Sequence, residues 1–350
     1  MRLKMSCRSR RSRAPLSLLV LPMLLASGAA AAQDEVYVPI ETREVRGYLM
    51  VQGVNSRTGN FAVTYPAFDR HGVPYRRTYN SNADNRGTFG LGWGSSFDTR
   101  AVGLPDGRVA VLENGNGAIT VYGPGPADET REQMERAVAK ALVHPSGAAR
   151  RYINNQLAIE SKYAMAEATN CGAAVLGTSL TGYIRMTCPG RVEYFDEDGR
   201  LVKYTDSSAG DDRTVMIERS ETGDIASIHD DAGHSLRFSR TGATLKVTDE
   251  TNAWLSYDFD AHGRNTRITG SDAPAYTFEY GPNGRMGAIR YIDGTSQRIA
   301  YDQAGRTSRL TLRNDDIYEF RHDPASSQTL VIQRPHDGAP TGLLVKFTDP

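Results

Sequence analysis

A repeat in the second half of this 350-residue chain constrains its fold more than any other feature. A Gly-Arg pair follows an aromatic residue at Gly263, Gly284 and Gly305, and these glycines are spaced by 21 residues twice over. In each copy the aromatic residue ends a strand, Asp or Asn begins a turn, and Gly supplies the positive φ that the turn requires. The period accommodates two strands and two turns, so it predicts one β-hairpin per repeat.

Four clear copies of this signature carry an aromatic residue, a glycine and an arginine in that order. They are Tyr194, Gly199 and Arg200; Tyr257, Gly263 and Arg264; Tyr280, Gly284 and Arg285; and Tyr301, Gly305 and Arg306. Degenerate copies lie at 218–223 and 238–242. We interpret the signature residues as structural, and we predict a β-sheet array over residues 191–350, with 286–291 as one of its strands.

The chain upstream of the repeats also has the pattern of short strands and turns. Strands are predicted at 61–65, 109–112 and 118–122, and Asp106-Gly107 is a turn signal. These features predict a β domain over residues 33–125. Its glycine-dense stretch surrounds Phe89 and Trp93, which we interpret as buried anchors, with a ligand-stacking role for Trp93 as the alternative.

Residues 126–190 interrupt this pattern and read as an insertion. Pro126 and Asp128 favour a helix start, and His144-Pro145 favours its end. Apolar residues recur at helical spacing between these signals, at Met134, Ala137, Val138, Ala141 and Leu142. The sequence therefore predicts a helical insertion over 126–143. Its charged face is expected to be solvated, with partner binding as the alternative.

The insertion contains two of the three cysteines, Cys171 and Cys188. Two short apolar stretches around a Gly/Ser/Thr turn lie between them, which favours a hairpin. In an oxidising compartment a disulfide would stabilise such a hairpin by about 3 kcal/mol. The alternatives are two free thiols or, with less support from the neighbouring residues, a zinc site.

The first 32 residues have the three-part pattern of a secretory signal peptide. A basic stretch ends at Arg13, an apolar run covers 16–26, and small residues end at Ala32. The apolar run is short for a bilayer span, so a cleaved signal is favoured over a membrane anchor. No later stretch of sequence predicts a transmembrane segment. We therefore expect a periplasmic or secreted protein with domains 1–32, 33–125, 126–190 and 191–350.

The charge balance changes when this leader is set apart. The whole chain has 41 Lys and Arg against 41 Asp and Glu, but six of the basic residues lie in the first thirteen positions. Without them, 35 basic residues face 41 acidic ones. A nucleic-acid partner needs a clustered positive surface, so this balance disfavours one.

The repeat resembles the YD repeat of the Rhs family of bacterial surface and toxin-delivery proteins. The segments 58–60, 77–81 and 87–93 are similar to the domain that precedes the repeats in that family, and the resemblance covers roughly residues 47–325 without the helical insertion. It implies a mainly β fold in which an antiparallel sheet winds into a hollow shell around a C-terminal toxin domain. This chain has fewer units, and no self-cleaving aspartate motif or toxin domain follows Leu330, so we expect a partial shell.

The sequence contains no motif that assembles a nucleophile with a base, binds a nucleotide phosphate or supplies a zinc-protease site. His229, His234 and His262 lie at turns, and Asp196-Glu197-Asp198 lacks the spaced ligands of a calcium loop. We therefore expect a protein that is not an enzyme, with no catalytic, cofactor-binding or metal-binding residues.

Two functions remain open from the sequence. The first is an exported scaffold or interaction protein at the bacterial envelope, with a protein partner or a cell-surface glycan as its ligand. The alternative is the N-terminal shell part of a polymorphic toxin delivery system from which the toxin domain is absent. In either case an open sheet edge near 343–345 favours self-association or pairing with another repeat-containing chain.

The leader yields a direct prediction. Cleavage between Ala32 and Gln33 should remove 32 residues on export, because the small residues before Gln33 suit a signal peptidase. Intact-mass measurement of the chain recovered from the periplasm or medium checks this. Exported material that retains the Met1 segment would contradict it.

Overall fold

The computed structural model describes most of the β-rich part of the chain. The described residues are 43–45, 48–68, 73, 75–83, 86–115, 119–122, 133, 136–137, 159–160, 175–179, 182–187, 191–207, 213–271 and 275–346. They divide into two compact units. Unit 1 contains the described residues of Thr64–Ala273, and unit 2 contains those up to Val63 and of Pro274–Pro350.

Short strands and two single-turn 3₁₀ helices make up the chain upstream of the repeats. They are β1 (Arg43–Val45), β2 (Tyr48–Val51), β3 (Val54–Asn55), β4 (Ala62–Phe68), β5 (Tyr75–Asn80), β6 (Arg86–Gly87), β7 (Gly90–Leu91), β8 (Trp93–Ser95), η1 (Ser96–Asp98), β9 (Arg100–Gly103), β10 (Val109–Leu112), η2 (Glu113–Gly115) and β11 (Ile119–Tyr122). They form small sheets with the orders β1-β2-β3, β4-β5-β8, β6-β7 and β11-β10-β9.

The remaining strands form an antiparallel meander. They are β12 (Ile159–Glu160), β13 (Val175–Ser179), β14 (Gly182–Thr187), β15 (Arg191–Phe195), β16 (Leu201–Asp206), β17 (Arg213–Arg219), β18 (Ile225–Asp230), β19 (Ser235–Thr241), β20 (Thr244–Asp249), β21 (Trp254–Phe259), β22 (Asn265–Gly270), β23 (Tyr276–Tyr280), β24 (Met286–Tyr291), β25 (Ser296–Tyr301), β26 (Thr307–Thr311), β27 (Ile317–Asp323), β28 (Gln328–Arg334) and β29 (Thr341–Lys346). Their order in the sheet is their order in the chain, and the sheet is not closed. The predicted mainly β fold is confirmed.

Cross-strand register aligns apolar side chains into the core of each unit. In unit 1, Ile228 lies opposite Ile217 on one neighbouring strand and Leu236 on the other, and all three are buried. In unit 2, Leu310 lies opposite Ile299 and is likewise buried. Such cross-strand apolar contacts stabilise a sheet that has one face on a core.

The hairpin turns share one hydrogen-bond pattern. In the first complete signature, Gly199 N–H donates to the Asp196 carbonyl at 3.0 Å, and Asp196 N–H donates to the Arg200 carbonyl at 2.9 Å. Gly199 has φ +74°, and Gly263, Gly284 and Gly305 have φ of +77°, +77° and +78°. The fourth residue of each turn has a positive φ, and glycine adopts this conformation at the lowest cost in free energy.

The structure does not support the predicted helical insertion over 126–143. Gln133, Arg136 and Ala137 are the described residues of that segment, too few to establish a helix. Ala137 packs against the buried cluster of Val102 and Leu104. Cys171 and Cys188 lie outside the described residues, so their disulfide stays a prediction. The β13–β14 hairpin, with Val175 opposite Met186, lies between them in the chain.

The last described strand, β29, has two of its three large apolar residues in the core, and Leu344 is half-buried. Leu343 and Val345 are both buried, although the sequence analysis placed an uncovered apolar edge there. Within the described part of the chain, β29 pairs with β28. The unpaired groups at this edge are therefore those of the backbone.

The turn between β18 and β19 contains a buried carboxylate, Asp230. Its Oδ1 accepts hydrogen bonds from the backbone N–H groups of Ala232 (3.1 Å) and His234 (2.8 Å), and its Oδ2 accepts one from the Arg213 guanidinium. Burial alone would raise the pKa of this carboxyl, but the hydrogen bonds from His234 and Arg213 outweigh it and lower the pKa to about 2. Asp230 therefore stabilises the fold while it is ionised.

Asp230→Asn should lower the free energy of unfolding near neutral pH. Because the pKa of Asp230 is lower in the folded chain than in the unfolded one, its contribution is complete above about pH 4 and disappears as the pH falls towards about 2. Chemical denaturation across this range measures it. Glu221→Gln, which removes a charge from an exposed site in unit 1, should change stability little at any of these pH values. A difference between wild type and Asp230→Asn that does not depend on pH would contradict this account.

Candidate functional site

Upstream strands contact the repeat turns at the backbone of signature glycines. In unit 1, Ala101 N–H donates to the Gly199 carbonyl at 2.7 Å, and Arg100 and Arg200 form an antiparallel bridge beside it. A Cβ atom on Gly199 would lie 1.8 Å from the Ala101 carbonyl oxygen. Gly199 is therefore required both for the turn and for this close approach.

A second contact of this kind occurs at Gly263, also in unit 1. Leu91 N–H donates to the Gly263 carbonyl at 3.0 Å, and the Arg86 guanidinium donates to the His262 carbonyl at 2.9 Å. A Cβ atom on Gly263 would lie 2.6 Å from Arg86 Nη2. The exposed His262 side chain takes no part, since it is the backbone of this turn that accepts the bond.

Unit 2 contains a similar contact between a glycine and another backbone, but here the array donates and an upstream glycine accepts. Thr307 N–H donates to the Gly59 carbonyl at 2.8 Å, and a Cβ atom on Gly59 would lie 2.4 Å from Arg306 Cβ. Thr329 Oγ1 donates to the Ser56 carbonyl at 2.6 Å. In both units, then, residues upstream of the repeats contact the turns or strands of the array directly.

Aromatic residues fill the space behind the unit 1 contacts. The ring of Phe89 lies 5.2 Å from that of Tyr75 and 5.1 Å from that of Tyr257, and the two tyrosine hydroxyls are 2.6 Å apart. Burial raises the pKa of both Tyr75 and Tyr257. Tyr257, a signature residue, is therefore a core residue that joins the repeats to the upstream strands.

Arg77 lies within this aromatic core. Its guanidinium is 4.8 Å from the ring centroid of Trp93 and 5.1 Å from those of Tyr65 and Tyr257, which is cation–π geometry. Trp93 and Phe89 are fully buried. Both residues are therefore buried, as expected from the sequence, and Trp93 presents no surface on which a ligand could stack.

A buried ion-pair network joins η2 to the repeat sheet. Arg185 on β14 donates to Glu193 Oε2 at 2.7 Å and to Glu113 Oε2 at 3.0 Å, and Arg191 donates to Glu193 Oε1 at 2.9 Å. Burial disfavours the charged form of Arg185, but the carboxylates of Glu193 and Glu113 outweigh it and raise its pKa. Such a network holds its members in place, because removal of one partner leaves a buried charge unpaired.

The signature arginines have two kinds of contact. Arg264 and Arg306 pair with the aspartate of their own turn: their Nε atoms lie 2.7 Å from Asp260 Oδ2 and 2.8 Å from Asp302 Oδ2. Arg285, and Arg200 in addition to its pairing with Asp198 of its own turn, lie over the glycine of the turn two strands further along the chain. A Cβ atom on Gly223 would lie 2.6 Å from Arg200 Cζ. A Cβ atom on Gly305 would lie 2.7 Å from Arg285 Cζ.

The signature tyrosines are less uniform. Tyr194, Tyr280 and Tyr301 are half-buried, and Tyr301 Oη donates to the Met286 carbonyl at 2.8 Å. The residue directly before the turn aspartate is Phe195 in the first copy and Phe259 in the second. The sequence analysis instead gave that place to the tyrosines at 194 and 257.

A cavity of about 660 Å³ lies in unit 1 beside the contacts at Gly199 and Gly263. Five arginines line it, each from a different element: Arg86, Arg100, Arg200, Arg219 and Arg240. Arg200 is the one member that belongs to the repeat signature. The sequence analysis did not find this group, since no spacing along the chain connects residues that the turns and upstream strands bring together.

The described residues were also considered for metal ligands and membrane-spanning helices. They contain no group of three or more His, Cys, Asp or Glu side chains placed to hold a metal ion. Within the same residues, no helix has the length and apolar character needed to cross a membrane. The carboxylate of Asp196, in the stretch considered for calcium, accepts hydrogen bonds from the backbone N–H groups of Asp198 and Arg200.

Residues 52–122 match the family described as "Domain of unknown function (DUF6531)". The matched segment lies within the predicted upstream β domain, apart from the repeats. It includes the residues that contact Gly199 and Gly263. This match fits the resemblance to a Rhs-like family. No curated protein matches the chain.

Among solved structures, the chain is similar to parts of much larger toxin-complex chains. The crystal structure of TcdB2-TccC3 without its hypervariable C-terminal region has 14% identity and a TM-score of 0.28, over 69% of this chain and 15% of that one. TcdB2-TccC3-Cdc42 has 10% identity and a TM-score of 0.30, over 80% and 13%. A Photorhabdus luminescens Tc holotoxin pore has 9% identity and a TM-score of 0.23, over 85% and 21%. This chain thus spans a small fraction of the length of each.

The surroundings of the signature glycines predict that the same Gly→Ala substitution lowers the unfolding free energy by different amounts at different turns. Gly284→Ala should cost about 1 to 2 kcal/mol of unfolding free energy, since it strains a residue at φ +77° with nothing within 4 Å of the new Cβ. Gly199→Ala imposes the same strain and also displaces Ala101, so about 3 kcal/mol or more is expected. Denaturant titration of both variants measures the difference. Equal losses would show that the upstream strands do not depend on close approach at Gly199.

Proposed function

We propose that this chain is an exported, non-enzymatic scaffold of the Rhs-like YD-repeat kind, which binds a protein partner or a glycan at the bacterial envelope. The observation that carries the proposal is the use of the signature residues within the fold. Gly199 and Gly263 accept hydrogen bonds from the upstream strands, and Arg264 and Arg306 pair with their own turns. The repeated polar residues are thereby committed to holding the array together.

The family match supports the same proposal. Residues 52–122 contain the upstream segments that contact the array in unit 1, so the matched domain and the repeats act as one assembly there. The contacts at Ala101 and Leu91 are made by backbone groups. The side chains of Asp260 and Arg264 are likewise paired within their own turn, as expected of a scaffold.

The alternative function is the N-terminal shell part of a toxin delivery system. The open sheet favours it, since β29 pairs with β28 and leaves its other edge unpaired within the described residues. Continuing YD repeats in the DNA downstream of this coding sequence would support this alternative, and their absence would favour the scaffold.

Binding to isolated envelopes tests the scaffold proposal. The purified, fluorescently labelled chain should bind envelopes saturably, and excess unlabelled chain should compete with it. Protease treatment of the envelopes should abolish binding if the partner is a protein, and periodate oxidation should do so if it is a glycan. Heat-unfolded chain is the control for adhesion of exposed apolar surface. Absence of saturable, competed binding to untreated envelopes would reject the proposal.

A further inference from the structure

The arginine-lined cavity in unit 1 has an excess of positive charge. Three aspartates line it together with the five arginines: Asp98, Asp224 and Asp260. The carboxylate of Asp260 is already paired with Arg264, which is not part of the lining. Asp260 therefore neutralises none of the five arginines.

Asp98 is occupied in a similar way. It is half-buried, and its two carboxylate oxygens accept hydrogen bonds from the backbone and hydroxyl groups of Thr88 and Ser95. Burial raises the pKa of Asp98, while its hydrogen bonds with Thr88 and Ser95 and the charge of Arg219 oppose that rise. The lining thus contains five guanidinium groups and three carboxylates, an excess of two positive charges.

The arginines themselves contact mostly neutral acceptors. Arg86 donates to the His262 carbonyl and Arg240 to the Thr88 carbonyl, while Arg219 donates to the carbonyls of Phe97, Leu201 and Gly223. Within the described residues, only Arg200 of the five has a carboxylate partner, the exposed Asp198 at 3.1 Å. Carbonyl contacts orient a guanidinium but leave its charge uncompensated.

Two of these arginines also have unused donors. Nε of Arg100 and Nε of Arg219 are buried and have no hydrogen-bond partner among the described residues. Burial lowers the pKa of both Arg100 and Arg219, although nearby carboxylates, Asp198 for Arg100 and Asp98 for Arg219, oppose that shift. Arginines held close together in a lining with fewer carboxylates favour an anion beside them, because its charge offsets their mutual repulsion.

We propose that this cavity binds a compact multivalent oxyanion, a small molecule or terminal group that carries two or more phosphates or carboxylates. Guanidinium groups bind both kinds of oxyanion with paired N–H donors. A volume of about 660 Å³ is that of a small-molecule site and admits such a ligand. Arg86 and Arg240 are exposed, so a ligand can reach the cavity from solvent. This binding is independent of the scaffold proposal.

Calorimetric titration of the purified chain tests the site, with pyrophosphate and citrate as separate probes at constant ionic strength. At least one probe should bind saturably at one site per chain. Arg240→Gln should then weaken binding by about tenfold or more, since one charged hydrogen-bonding group is lost. Arg237→Gln is the matched control, because Arg237 is exposed on the same strand and does not line the cavity. It removes the same charge and should change affinity by less than about twofold.

The outcomes separate the sources of the anion. Binding of pyrophosphate alone supports a phosphate ligand, citrate alone supports a carboxylate ligand, and both support recognition of multivalent oxyanions in general. Melting temperatures of the two variants confirm that each remains folded. Failure of both probes to bind would overturn the proposal, and so would equal weakening by Arg240→Gln and Arg237→Gln, which indicates unspecific attraction.

Discussion

The organisation of this protein depends on places where a turn glycine leaves room for another backbone. At Gly199 the missing side chain serves two purposes: the turn adopts φ +74°, and the Ala101 backbone approaches to hydrogen-bonding distance. Gly263 adopts φ +77° and accepts the Leu91 N–H, and the space that its missing side chain leaves is occupied by the Arg86 guanidinium. A hairpin array with side chains at these positions could still form strands, but the upstream strands would lose their direct contacts with it.

The aspartate and arginine of the signature act on the same turns. Asp260 Oδ1 accepts hydrogen bonds from the backbone N–H groups of His262 and Arg264, and Oδ2 pairs with the Arg264 side chain. Gly281 replaces the aspartate in the third copy, where Asn283 Oδ1 accepts the bond from Arg285 N–H instead. The turn thus tolerates loss of its aspartate when a nearby amide supplies the acceptor, which explains why glycine is the more regular feature.

The strands and turns of this fold were predictable from the sequence, but the contacts between residues far apart in the chain were not. The predicted strands at 109–112 and 286–291 coincide with β10 and β24, because alternation and turn residues act over a few positions. The hairpin period follows from the glycine spacing for the same reason. The helix expected at 126–143 rested on apolar spacing, and it has no support from the structure because most of that segment lies outside the described residues. The arginine group could not be found, since its members are neighbours only after the upstream strands contact the turns.

The arginine group and the glycine contacts have a common origin. A glycine has no side chain to hold a guanidinium away, so Arg200 lies over Gly223 and Arg86 lies over Gly263. Each contact brings a cation to the turn side of the array, where the upstream strands add Arg100 beside Arg200. Positive charge therefore accumulates at the places where the fold needs glycine, although the whole chain has equal numbers of basic and acidic residues. The repeat signature supplies Arg200, and β6, β9, β17 and β19 supply the other four arginines of the cavity. An anion site can therefore arise from packing without a dedicated sequence motif.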